Sequence, residues 1–237
     1  MNDQIARNEP MRLRIQSILS NLDAVGEDLL ALSDDIWLNI DYKDSDAVAK
    51  GAAFMIAFKN TVGDYREVSG RLTHLVEEFT QVSTFEAPAA PASDAERDRR
   101  ERLIHALDRR VPHGLDEDFR YKRPTLFTLD GVPFDGTNTW SQVHETLCRH
   151  LATLKPAVFA GLPSNPDFTS SKGNRYFSRD AADLRLGKDF GGGILAETNL
   201  SANQIRDNMG RLLRAFGLPQ TAFVVYLRED RDAGLGD

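Results

Sequence analysis

Apolar and polar positions alternate along this chain in two different rhythms, and the change between them divides it. From residue 11 to 32, Ile15, Ile18, Leu19, Leu22 and Leu29 stay near one face of a 3.6-residue repeat, which predicts an amphipathic helix. After the polar elbow "DYKDSD", Asp46 is placed to cap a second, longer helix. Along it Phe54, Phe58, Thr61, Tyr65, Val68, Leu72, Leu75 and Phe79 step by four and three residues, a heptad seam. A short turn between two helices makes an antiparallel hairpin. Its seam is open to either of two uses, joining a partner chain or packing inside the molecule.

The rhythm then stops at "TFEAPAAPASDA", whose prolines and small residues have the composition of a semi-extended linker. Ser93 and Glu96 form a capping-box pair for the charged segment "DAERDRRERLIHALDRR", with an apolar side of only Leu103, Ile104 and Leu107. Beyond it the pattern becomes mixed. "PTLFTLDGVPFD" reads as a β-hairpin turning at Asp130-Gly131, a dipeptide suited to the positive φ angles of a type I′ turn. Thr139 and Gln142 start a helix whose stripe is Trp140, Val143, Leu147, Leu151 and Leu154. "GKDFGGG" and a strand around "GILAET" come later. Ser201 and Gln204 then cap a helix with Ile205, Met209, Leu212, Leu213 and Phe216 on its core face, Gly217 stops it, and "TAFVVYL" is a closing strand.

The expected fold class is therefore α+β. Residues 1–83 form a helical hairpin for oligomerisation or docking, and 84–118 a linker and charged helix. Residues 119–237 form a small antiparallel sheet with packed helices.

Charge sharpens this division. The chain of 237 residues has a net charge of −7. Residues 119–237 hold 15 Lys+Arg against 13 Asp+Glu, and subtraction from the totals of 29 and 36 leaves 14 against 23 for residues 1–118. An acidic module thus precedes a near-neutral one, whose local basic patches can meet phosphate. No run approaches the roughly 18 apolar residues of a membrane span. The start "MNDQIARNEPMRLRIQ" has no apolar signal core, so the reading is a cytoplasmic protein without membrane contact. The single Cys148 excludes an internal disulfide and a thiolate cluster.

The sequence holds no nucleotide-loop lysine after Gly191 to Gly193, no H-E-x-x-H and no G-x-S-x-G, so neither a catalytic residue nor a cofactor site is assigned. The elbow acids Asp34, Asp35, Asp41, Asp44 and Asp46 lack the glycine and closing glutamate of a calcium loop and read as solvated helix ends. His144 and Cys148, one turn apart, have no companion ligands for zinc. The triple glycine reads as a turn.

What stands out is "SSKGNRYFSRDAADLR", residues 170–185. Between Lys172 and Lys188 the five positive residues Lys172, Arg175, Arg179, Arg185 and Lys188 stand against Asp180 and Asp183, with Asp189 just beyond. "ETNLSAN" then sets Thr198, Asn199, Ser201 and Asn203 at a helix start. Hydroxyls, amides and helix N-termini bind phosphate oxygens, and Asn and Arg also read base edges. The same residues serve equally as cap, turn and strand core.

The order "GNRYFSRDAADL", a glycine-rich turn, then "ETNLSANQIRDNMGRLLRAFGLP" resembles the C-terminal domain of the SeqA family, over about residues 139–220. Asn174, Arg175, Tyr176 and Phe177 match that family's loop, and Thr198 and Asn199 its strand end. The likeness implies a cofactor-free protein that binds double-stranded DNA at hemimethylated GATC sites and multimerises through its N-terminal part. The nucleic-acid-binding residues it implies, with the reading above, are Lys172, Asn174, Arg175, Arg179, Thr198, Asn199, Ser201 and Asn203. Three departures are visible: the family's loop is more basic, Leu200 and Ser201 stand where the family has a second asparagine, and the acidic hairpin is unlike SeqA's short multimerising segment. The rival reading is a protein-interaction subunit of a larger bacterial defence or DNA-processing complex.

Overall fold

A computed structural model describes residues 8–84, 102, 107 and 110–228. The linker around "EAPAAPASDA" and most of the charged helix after Ser93 lie outside the described residues.

Helix α1 (Glu9–Leu38) starts at Asn8, whose side chain accepts from the Met11 N–H, with Pro10 in the first turn where no amide is required. It continues past the expected end because Ile36 keeps the apolar repeat alive. Helix α2 (Ser45–Thr80) is capped by Asp44, which accepts from the N–H groups of Asp46 and Ala47. The cap is thus two residues earlier than the sequence suggested, and Asp41 accepts from the Lys43 N–H in the elbow. The helix ends at Gln81, in a left-handed conformation with its N–H on the Glu77 carbonyl. The two helices run antiparallel. A methyl group at Gly51 would strike the Ile40 side chain, and one at Gly26 would press on Arg66, so both glycines allow close approach.

The α/β part is built on an antiparallel sheet of order β1-β7-β2-β3: β1 (Pro112–His113), β2 (Pro124–Leu129), β3 (Val132–Asp135) and β7 (Phe223–Leu227). Asp130 and Gly131 have φ of 49° and 75° between β2 and β3, the tight turn expected of that dipeptide. Helices α3 (Trp140–Leu154) and α5 (Ala202–Phe216) pack together and supply Trp140, Leu147, Met209 and Leu212 to one core with Phe127 and Phe223. A short helix α4 (Pro156–Gly161) follows α3. A second small sheet, β4 (Phe177–Ser178), β6 (Leu195–Glu197) and β5 (Gly187–Asp189) in that order, carries the glycine-rich turn. Strand β1 pairs with β7, so the sheet draws in Pro112 and His113, which precede the expected boundary at residue 119.

The architecture is α+β, and the hairpin lies against the α/β part. Glu27 of α1 accepts from the N–H groups of Trp140 and Ser141 at 3.2 and 2.7 Å, capping α3 from another helix. Asp23 accepts from the Thr139 hydroxyl at 2.7 Å, and Gln142 reaches Ser20 at 3.0 Å. Arg66 of α2, 5% exposed, touches Asp23, Ser141 and the Leu200 carbonyl. Arg120 and Tyr121 bond Asp35, and Arg123 bonds Asp28. The α2 seam is not consumed by this docking. The buried positions of α2 are Met55, Val62, Arg66, Ser69 and Thr80, while Phe54, Val68, Leu72, Leu75 and Phe79 stay exposed. Among the described residues no helix is long and apolar enough to cross a membrane.

Candidate nucleic-acid interface

The basic stretch forms a pinned loop. Phe168 and Phe177, both buried, anchor its two ends edge to face. Thr169 bridges Arg175, the Ser170 N–H donates to the Asn174 carbonyl at 2.8 Å, and Gly173 turns the chain at φ +82°. The Ser170 hydroxyl accepts from the Asn174 N–H at 3.0 Å. Lys172, Gly173 and Asn174 form the exposed tip.

Four of the sequence-predicted residues share this surface. The side chains of Lys172 and Asn174 point from the tip. Arg175 is 48% exposed and meets Asp183 only at 3.8 Å, because Asp183 already accepts from the Ser178 hydroxyl. Arg179, also exposed, donates to the Ala160 carbonyl at the end of α4 at 3.2 Å. Exposed Arg185 lies further along, its backbone N–H held by Glu197. Lys188, by contrast, is committed to Glu145 at 2.7 Å. Tyr176 behind the loop carries the Arg211 guanidinium 5.1 Å from its ring centre.

Three of the other four have internal side-chain partners, and Asn199 is held by its backbone. Thr198 donates its hydroxyl to the Leu186 carbonyl at 2.8 Å. The Asn199 N–H is held by Glu197, and its side-chain oxygen is buried without a hydrogen-bond partner. Ser201 is buried as the N-cap of α5 in a complete capping box with Gln204. Asn203 accepts from the Phe119 N–H and donates to Asp118, both at 2.9 Å, so it ties α5 to the β1–β2 connection. The bonds from Arg120 and Asn203 hold the Asp118 carboxyl well below the usual carboxylate range. The stretch 198–203 is therefore a structural junction, where Thr198, Ser201 and Asn203 are engaged within the fold.

Glu197 organises that junction. Nearly buried, it accepts from the N–H groups of Arg185, Leu186 and Asn199. A lone acid inside the predicted strand "GILAET" was the available signal.

Gly191 to Gly193 all have positive φ in the β5–β6 turn, which the Phe190 N–H closes on the Ile194 carbonyl at 3.0 Å. His144 is buried beside Asn208 at 3.1 Å, and burial pushes its pKa down to about 4. Burial likewise pushes the Cys148 thiol up. Neither group is presented to solvent, and among the described residues no three His, Cys, Asp or Glu side chains converge as a metal site. A cleft of about 340 Å³ opens between the hairpin and the α/β part. Asp23, Glu77 and Glu145 line it beside Arg66 and Lys188, a balance of charge that does not suit a polyphosphate backbone.

No protein-family model, curated protein or solved structure matches the chain. The SeqA likeness rests on its short motifs alone. Of those, Asn174 and Arg175 are at the surface, while Phe177 is core and Asn199 is turned inward.

Proposed function

We propose that this is a non-enzymatic protein that binds double-stranded DNA through the 170–179 loop. One observation carries the reading: Lys172, Asn174, Arg175 and Arg179 stand exposed together on a loop whose own backbone bonds and buried phenylalanines fix its shape. A fixed loop pays little ordering entropy on binding. Lys172 and Arg179 are assigned to phosphates, and Arg175 with Asn174 to base edges. The SeqA-like order of the loop adds to this, and hemimethylated GATC duplexes are the first sequence to offer.

The test is fluorescence anisotropy with labelled duplexes across a salt series. Binding weakens steeply with salt, and Lys172→Ala and Arg179→Ala each lower the logarithmic slope by about one unit per lost contact. Arg175→Ala brings preferred and random duplexes closer in affinity, because a bidentate base contact discriminates by about 1 to 3 kcal/mol. Binding that is absent, or indifferent to all of these changes, overturns the reading. The exposed apolar face of the hairpin favours a second reading, a protein-interaction subunit of a larger assembly in which the loop carries no nucleic acid.

A further inference from the structure

From the hairpin we infer that the chain is a homodimer, two copies closing their hairpins face to face into a four-helix bundle. The α2 seam has a counterpart on α1. Met11, Ile18, Val25 and Leu32 recur every seven residues and are 40% to 54% exposed. Between them Ile15, Leu22, Leu29 and Ile36 are half-buried, so α1 also steps by four and three. On α2 the outer column is Phe54, Thr61, Val68 and Leu75, and the inner column Phe58, Tyr65, Leu72 and Phe79.

The antiparallel register makes these runs level. Gly51 against Ile40, Gly26 against Arg66, and the Tyr65 hydroxyl on the Leu22 carbonyl set Ile36 beside Phe54 and Met11 beside Phe79. In both helices the next column round is buried within the molecule: Leu19, Gly26 and Ser33 on α1, Met55, Val62 and Ser69 on α2. Each helix thus has one side satisfied and its heptad side facing outward. This is one layer of a four-helix bundle, in which inner and outer columns meet a second layer.

Area fits that occupant. Twenty-six residues from Met11 to Ile36 rise about 38 Å at 1.5 Å each, and two helices are about 20 Å wide, giving about 750 Å². A standard stable interface buries about 800 Å² per partner, and a monomer's largest apolar patch is typically about 300 to 600 Å². The face is also self-complementary, since both helices repeat the same order of columns, and a half-turn maps it onto itself. The α2 rim includes Asp64 and Arg71. A twofold axis near Val25 sets Asp64 of one copy toward Arg71 of the other. Such rim pairs give orientation more than affinity.

The inference stands apart from DNA binding, because the 170–179 loop is not part of this face and its test needs no nucleic acid. The full chain, measured by sedimentation equilibrium, has twice the 26.5 kDa chain mass. Ile18→Glu combined with Leu72→Glu, at positions exposed in the single chain, gives a monomer with unchanged circular dichroism. A second arm does not depend on that variant folding: Val25→Cys forms a covalent dimer on mild oxidation, while Thr153→Cys, exposed at the far end of α3, does not. A monomeric parent, a dimer that survives the double substitution in a folded chain, or a dimer without the Val25→Cys link overturns the inference. The first of these would assign the face to a different protein.

Discussion

The hairpin and the α/β part solve the burial problem differently. In the α/β part Trp140, Phe127, Leu147 and Met209 are inside, and polar side chains close its edges. In the hairpin the side turned inward mixes Leu19, Ala24, Met55 and Val62 with Ser20, Glu27, Ser33, Arg66 and Ser69, while Phe54, Leu72, Leu75 and Ile18 face outward. Apolar burial is strong but non-directional, whereas hydrogen bonds to a helix N-terminus fix an orientation. The contrast teaches that the α/β part supplies cohesion, and that the polar contacts aim the hairpin so that its apolar face is presented.

The contrast is broken most severely from the α/β side. Phe127→Ala removes a fully buried ring stacked between Phe134 and Phe223 and costs about 3 to 5 kcal/mol, read by denaturant unfolding of the full chain. At the docking contact the effect is smaller. Glu27→Ala leaves the Trp140 and Ser141 N–H groups without their acceptor and costs about 1 to 3 kcal/mol, while Glu27→Gln, which keeps a carbonyl oxygen there, costs less.

Acidity sharpens the comparison further. Burial, with Asp23 adding to it, raises Glu27 from 4.5 to about 8 against the pull of the Ser141 and Trp140 amides. Its raised folded pKa makes its stabilisation complete below pH 4.5 and lost as pH rises through 8. His144 works in reverse: held down at about 4, its contribution is complete above 6.5 and lost as pH falls through 4. Unfolding free energy measured against pH therefore falls away on both sides, and Glu27→Gln removes the alkaline limb alone. The smallest effect belongs to the loop. Lys172→Ala changes stability by less than about 0.5 kcal/mol in the same measurement, since an exposed tip residue has little to lose.

Helices were legible because caps and apolar stripes are local: Thr139, Ser201 and Gly217 do what their neighbours in sequence require. The type I′ turn at Asp130-Gly131 was readable for the same reason. Strand β1 was not, since its two residues become a strand only by pairing with Tyr226 and Val225. The same limit governed the candidate site. A glycine beside Lys172 and Asn174 announces an exposed turn, but Asn203 was assigned outward because its partners, Phe119 and Asp118, are remote in sequence. Glu27 and Arg66 resembled the solvated charges around them until docking buried both. The heptad on α2 was visible, whereas its orientation depends on which column the α/β part covers.

Strand β7 lies between β1 and β2, although all of β3 to α5 separates it from them along the chain. Among the described residues β1 pairs with β7 alone, and β2 has only its local hairpin with β3 until residues 223–227 arrive. Closing such a long loop is slow, on the order of milliseconds to seconds for non-local sheets, against about a microsecond for helix formation. During synthesis the hairpin helices are therefore available first, with their apolar face already made. The central sheet, whose completion gathers Phe127 and Phe223, sets the pace of folding.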